Sequence, residues 1–172
     1  MRTFFKTILW LVLALFIGAG AFAWLLRRQS HQLDRIIEQA ATAGHVNPKL
    51  IAALADFSSN NEPGFASREH YGLLALTTAD GKAWAAATGG EFDTFALFDP
   101  ALNLRIGVWK FATALQSWSH ETKPEVWAVA EWKTNRETIR AWADLKSGDE
   151  VSRIDDARVR RFVAGVLQQA QR

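Results

Sequence analysis

The stretch Val46–Ser67, VNPKLIAALADFSSNNEPGFAS, limits the folds open to this chain more than any other. Asn47 is a good N-cap, and Pro48 suits the first helical position, where its missing N–H costs nothing. Leu50, Ile51 and Leu54 then recur at helical spacing. The pattern predicts a short amphipathic helix from about Pro48 to Phe57. It must end near the polar run Ser58-Ser59-Asn60-Asn61, before Pro63-Gly64.

The same period governs the rest of the chain. Gln29–Gln39 merges into a connecting helix with Leu33, Ile36 and Ile37 on one face, and Gly44 is placed to stop it. Thr77–Ala87 reads as a helix closed by Gly89-Gly90, and Glu91–Asp99 as a loop with aromatic anchors. Ala101–Ser119 carries the strongest stripe: Leu104, Val108, Phe111, Leu115 and Trp118. Glu125–Glu131 and Arg136–Leu145 form a helical pair, and Asp155–Gln169 closes the chain with Val159, Phe162, Val163, Val166 and Leu167. No repeat, low-complexity tract or convincing strand interrupts this pattern. One all-α domain is expected.

Ahead of it lies Thr7–Leu26, an uncharged run of twenty residues rich in Leu, Phe, Ala and Trp. A helix of that length crosses a hydrocarbon layer of about 30 Å. Arg2 and Lys6 precede the run, while Arg27 and Arg28 follow it. Ala21-Phe22-Ala23 would also satisfy a signal-peptidase site, but the apolar run continues past it to spanning length. The expected layout is a membrane anchor over 1–28, a connecting helix over 29–45 and a domain over 46–172. It places the protein in the inner (cytoplasmic) membrane, single-pass, with its domain in the periplasm or outside the membrane.

The chain has no cysteine, so disulfides and zinc–thiolate sites are excluded. Its net charge of +2 gives no footprint for nucleic acid. Arg158, Arg160 and Arg161 read as a solvated helix face. His31, His45, His70 and His120 show no metal-binding spacing, so neither metal nor cofactor is expected. A Ser58–His70–Asp56 triad lacks the Gly-x-Ser-x-Gly elbow and is rejected.

Val46–Ser67 resembles, without a gap, the motif of the SLT-type lytic transglycosylases, a branch of the lysozyme superfamily. Pro48, Leu50, Ile51, Ser59, Pro63 and Ser67 fall on matching family residues. Gly72-Leu73-Leu74-Ala75-Leu76 looks like that family's Gly-Leu-Met-Gln-Leu, and Leu97–Gly107 resembles the opening of its long core helix. Trp132-Lys133-Thr134-Asn135 stands where the family has Tyr-Asn-Ala-Gly, while Arg140 and Trp142 match its closing pattern.

The resemblance implies a lysozyme-like (SLT) helical fold and an activity that cleaves the MurNAc–GlcNAc bond of peptidoglycan without water. It also puts Ser58 at the family's catalytic glutamate. A serine hydroxyl cannot protonate a glycosidic oxygen. Ala75 replaces a substrate-contacting glutamine, and Lys133 replaces the motif's asparagine. The expected role is therefore binding of peptidoglycan, or holding an envelope-spanning assembly in the wall, with no confident catalytic residue.

Ser58, Ser59, Leu74, Ala75, Trp132 and Asn135 are the expected groove residues, Trp132 foremost because its ring is aromatic with a polar edge. Of the other tryptophans, Trp109, Trp118 and Trp142 are expected in the core. Two alternatives stay open. A relocated acid, Glu62, could keep the chain active, or the surface could bind protein partners only.

Overall fold

A computed structural model describes residues 31–145 and 148–172. The run Thr7–Leu26 lies outside them, and among the described residues no helix is long and apolar enough to cross a membrane. Residues Ile37–Arg172 form a compact unit. Its helices are α1 (residues 31–43, of which 37–43 belong to the unit), α2 (Pro48–Ser59), α3 (Thr78–Thr88), α4 (Pro100–Ser117), α5 (Pro124–Glu131), α6 (Arg136–Ala143) and α7 (Ala157–Ala170). A 3-10 turn, Thr94–Phe98, leads into α4.

The helix boundaries follow local chemistry. Asn47 caps α2 by accepting from the Lys49 N–H, and Thr77 and Asp80 cap α3 reciprocally. Asn135 caps α6 by accepting from the Thr138 N–H. α2 runs two residues beyond Phe57 and includes Ser58 and Ser59. It is stopped by Asn60 and Asn61, both left-handed at φ 57° and 59°, a conformation asparagine tolerates better than most residues.

Two expectations need correction. Gly44 follows the last turn of α1, but the left-handed residue there is His45, at φ 54°. The Val46 and His45 N–H groups donate back to the Ala41 and Thr42 carbonyls, the Schellman pattern. Gly44 is required for space instead, since a Cβ would strike Val108 Cγ1. The domain also has one small antiparallel pair, β1 (Ala66–Ser67) with β2 (His70–Tyr71), extended by a bridge from Tyr71 to Leu76. Two-residue strands are too short to leave an alternating pattern.

The core joins the stripes of α2, α4, α5 and α7. Ile51, Leu54, Leu104, Phe111, Trp127 and Val163 are fully buried within it. α2 packs along α7, and α4 and α7 both pack on α5. Phe57 sits against Gly165 and edge-on to Phe162, while Asp56 accepts from the Gln169 side chain at 3.0 Å.

At the centre, Asn103 of α4 is completely buried and fully hydrogen-bonded. Its Oδ1 accepts from the Leu74 N–H at 2.9 Å, and its Nδ2 donates to the Tyr71 and Leu97 carbonyls at 3.0 and 2.8 Å. Gly72 turns over this amide at φ 71°, where a Cβ would strike Asn103 and the Leu97 carbonyl. Replacing Asn103 by Leu strands the buried Leu74 N–H and Leu97 carbonyl, each worth about 1–3 kcal/mol, and leaves the Tyr71 carbonyl only its bond from the Leu76 N–H. Asn103→Leu should lower unfolding free energy by on the order of 3 kcal/mol or more in urea titrations. A loss below about 1 kcal/mol would refute this role.

Candidate functional site

The loop from Tyr71 to Leu76 is held on every side. Asn103 fixes its middle, and the Ser59 hydroxyl at the end of α2 donates to the Leu73 carbonyl at 2.6 Å. The Trp132 indole N–H, just after α5, donates to the Leu74 carbonyl at 3.3 Å. α4 presents Asn103, Gly107 and Lys110 to this region at spacings of four and three, which put them on one helix face. A Cβ on Gly107 would strike Leu74 Cδ1, so glycine lets the loop sit directly on α4.

The six candidate residues divide accordingly. Ser59 and Leu74 are buried, the first as an anchor and the second as core. Ala75 is half-buried and left-handed at φ 47°, a conformation that costs alanine roughly 1–2 kcal/mol. Trp132 is also half-buried, with its ring edge-on to Phe111. Asn135 is exposed, and its carbonyl oxygen is used in capping α6. Ser58 is half-buried, but its hydroxyl oxygen is fully enclosed and has no hydrogen-bond partner. Two described cavities, of about 660 and 320 Å³, involve none of the six.

Sequence reasoning missed Lys110. Its ammonium lies 4.7 Å from the centre of the Trp132 ring and 2.9 Å from Asp80 of α3. The signal was the Asn103–Gly107–Lys110 spacing, legible only once Asn103 is known to face the loop. Lys133 is exposed as a residue, yet its ammonium lies over the Phe162 ring at 4.4 Å. Desolvation there, followed by the charge of Lys110, holds its pKa below the ordinary lysine value.

Trp118 and Trp127 are buried in the core, whereas Trp109 and Trp142 are half-buried.

The carboxylates near this surface are committed elsewhere. Asp56 is bonded to Asn61 and Gln169, and Glu131 accepts from Trp118 and Arg136. Glu62 is exposed in the turn after α2, and among the described residues it forms no ion pair. Burial would raise the pKa of Asp80, but the Lys110 ammonium and hydrogen bonds from Thr77 outweigh it and leave the value lowered. Asp149, Glu150 and Asp156 are lowered too, chiefly by backbone N–H donors. A general acid needs a shift in the other direction.

No family model and no curated protein matches this chain. Solved structures do. The lytic transglycosylase Slt of Pseudomonas aeruginosa, in an inactive mutant form, superposes with a TM-score of 0.70 at 20% identity. The 70 kDa soluble lytic transglycosylase of Escherichia coli gives 0.71 at 18%, and its complex with bulgecin A 0.70 at 17%. In each case the match covers 79% of this chain and only 23% of the other. The likeness shows a lysozyme-like helical fold of the kind found in lytic transglycosylases.

Two outcomes are expected. Ser58→Ala removes an enclosed hydroxyl without a partner, so unfolding free energy should stay within about 0.5 kcal/mol or rise by up to about 1 kcal/mol. A loss above that range would mean the hydroxyl is bonded. Asp80→Asn should cost about 1–2 kcal/mol at neutral pH. Because the folded-state pKa of Asp80 lies below its ordinary 3.8, this stabilisation is complete above the ordinary value and disappears as pH falls through the lowered one. Denaturation curves of the two proteins should therefore converge in acid; a constant gap would refute the ion pair's contribution.

Proposed function

We propose that this chain is a membrane-anchored envelope protein whose lysozyme-like domain binds peptidoglycan without cleaving it. Thr7–Leu26 would span the inner membrane, and the domain would stand in the periplasm. The observation that carries the reading is Ser58. The end of α2, its Ser59 anchor to Leu73 and the loop under Asn103 are all built, yet the residue that falls on the family's acid has only an enclosed hydroxyl. Ala75 and Lys133 alter two further positions that the resemblance assigns to chemistry. A single lesion would leave those two intact.

Half-buried Trp132 remains the residue best suited to a sugar face, since its indole edge is fixed by Leu74 and its ring borders the surface. Protonation of a glycosidic oxygen needs a carboxylic acid within hydrogen-bond reach and a pKa raised by burial or a like charge. Asp56 and Asp80 are tied to other partners, and Glu62 is exposed in the turn after α2.

The test is incubation of the full chain with purified sacculi, followed by mass spectrometry of the soluble fraction and by co-sedimentation. The protein should pellet with the sacculi and release no anhydro-muropeptides, and Ser58→Glu alone should not start release. Product that Glu62→Ala abolishes would establish the relocated-acid alternative. Failure to pellet beyond a control protein would favour a scaffold that binds protein partners only.

A further inference from the structure

We infer that the surface around Trp132 receives an anionic group, a carboxylate or a phosphate carried on the bound wall polymer, at Lys133 with Lys110 beside it. The inference rests on the glycan-binding reading and names the chemistry that reading leaves open. Two aromatic faces border this surface, and each is covered by an ammonium. Lys110 lies over Trp132 at 4.7 Å and Lys133 over Phe162 at 4.4 Å. A sugar ring cannot take the covered side of either ring without displacing a cation held there by the ring's quadrupole. A ligand that brings negative charge beside its sugar gains from both ammoniums.

The local charge balance points the same way. Lys133 follows Trp132 directly in the chain, so the ammonium on Trp132 and the one on Phe162 belong to one small region. Of the two lysines, Lys110 pairs with Asp80 at 2.9 Å, and Asp80 also bonds to Thr77. Among the described residues, Lys133 has no carboxylate partner. The pKa of Lys133 is lowered first by desolvation and then by the charge of Lys110, so the two ammoniums lie close enough to repel. An arriving anion would offset the repulsion between the two lysines. The position is also one where the resemblance expects a neutral asparagine, so the charge is new to the site.

The experiment compares the full chain with its Lys133→Gln and Lys133→Arg forms in co-sedimentation with three sacculus preparations. These are native, amidated at their carboxylates, and stripped of phosphodiester-linked polymers with hydrofluoric acid. Lys133 is exposed, so neither substitution should disturb folding, and matching thermal unfolding checks this. On native sacculi the Gln form should bind about three- to tenfold more weakly, with the Arg form close to the parent. The gap should close on amidated sacculi if the anion is a carboxylate, or on acid-stripped sacculi if it is a phosphate. Equal binding of the parent and Gln forms to native sacculi overturns the anion site and leaves glycan binding standing. Absence of pelleting by the parent overturns the glycan-binding reading, and this inference falls with it.

Discussion

A single buried amide organises the domain. Asn103 spends its carbonyl on the Leu74 N–H and its two amide hydrogens on the Tyr71 and Leu97 carbonyls. The long helix, the loop after the β pair and the 3-10 turn are thereby locked into one piece. A buried polar side chain is costly when any group goes unpaired and strongly specifying when all are met. Here all are met, and the neighbouring glycines are shaped around the result. Gly72 passes over the amide where no Cβ fits, and Gly107 lets Leu74 rest on the helix. Ser59 and Trp132 then add their own bonds to the same loop from α2 and from the end of α5.

Much of this was legible beforehand, and the exceptions have physical causes. Helices with a strong apolar period, above all α4, lie within two residues of where the sequence puts them. Asn47 and Pro48 fixed the start of α2, but its end depended on Asn60 and Asn61 both accepting left-handed backbone, which composition alone does not decide. The β pair escaped notice because two-residue strands have no period. Gly44 was recognised as a helix stop for the wrong reason: Val108, far along the chain, demands the space. The fold was thus readable from local patterns, whereas contacts between distant segments were not.

The same division applies to the candidate site. Ser58 and Ala75 stood out by their register, and Trp132 by its chemistry. Lys110 could not be found that way, because its partners come from α3 and from the end of α5. Asn135 is exposed, and its side-chain oxygen caps α6. On the function proposed above, a surface of this kind would trade proton transfer for recognition: Asp56, Asp80 and Glu131 are bound into structure, and two ammoniums lie over its aromatic rings.

The packing of α2 on α7 bears on how the domain assembles. Asp56 and Gln169 are bonded across 113 positions of sequence, with Phe57 seated on Gly165 nearby. α2 is made well before α7, the partner that covers it. Until α7 emerges, the end of α2 that carries Ser58 and Ser59 lacks one of its supports, and closure waits on a long-range encounter of the kind that slows folding. The candidate site would therefore be among the last parts of the domain to take shape. A chain stalled before α7 would carry an uncovered apolar helix, which makes it a natural target for chaperones and proteases.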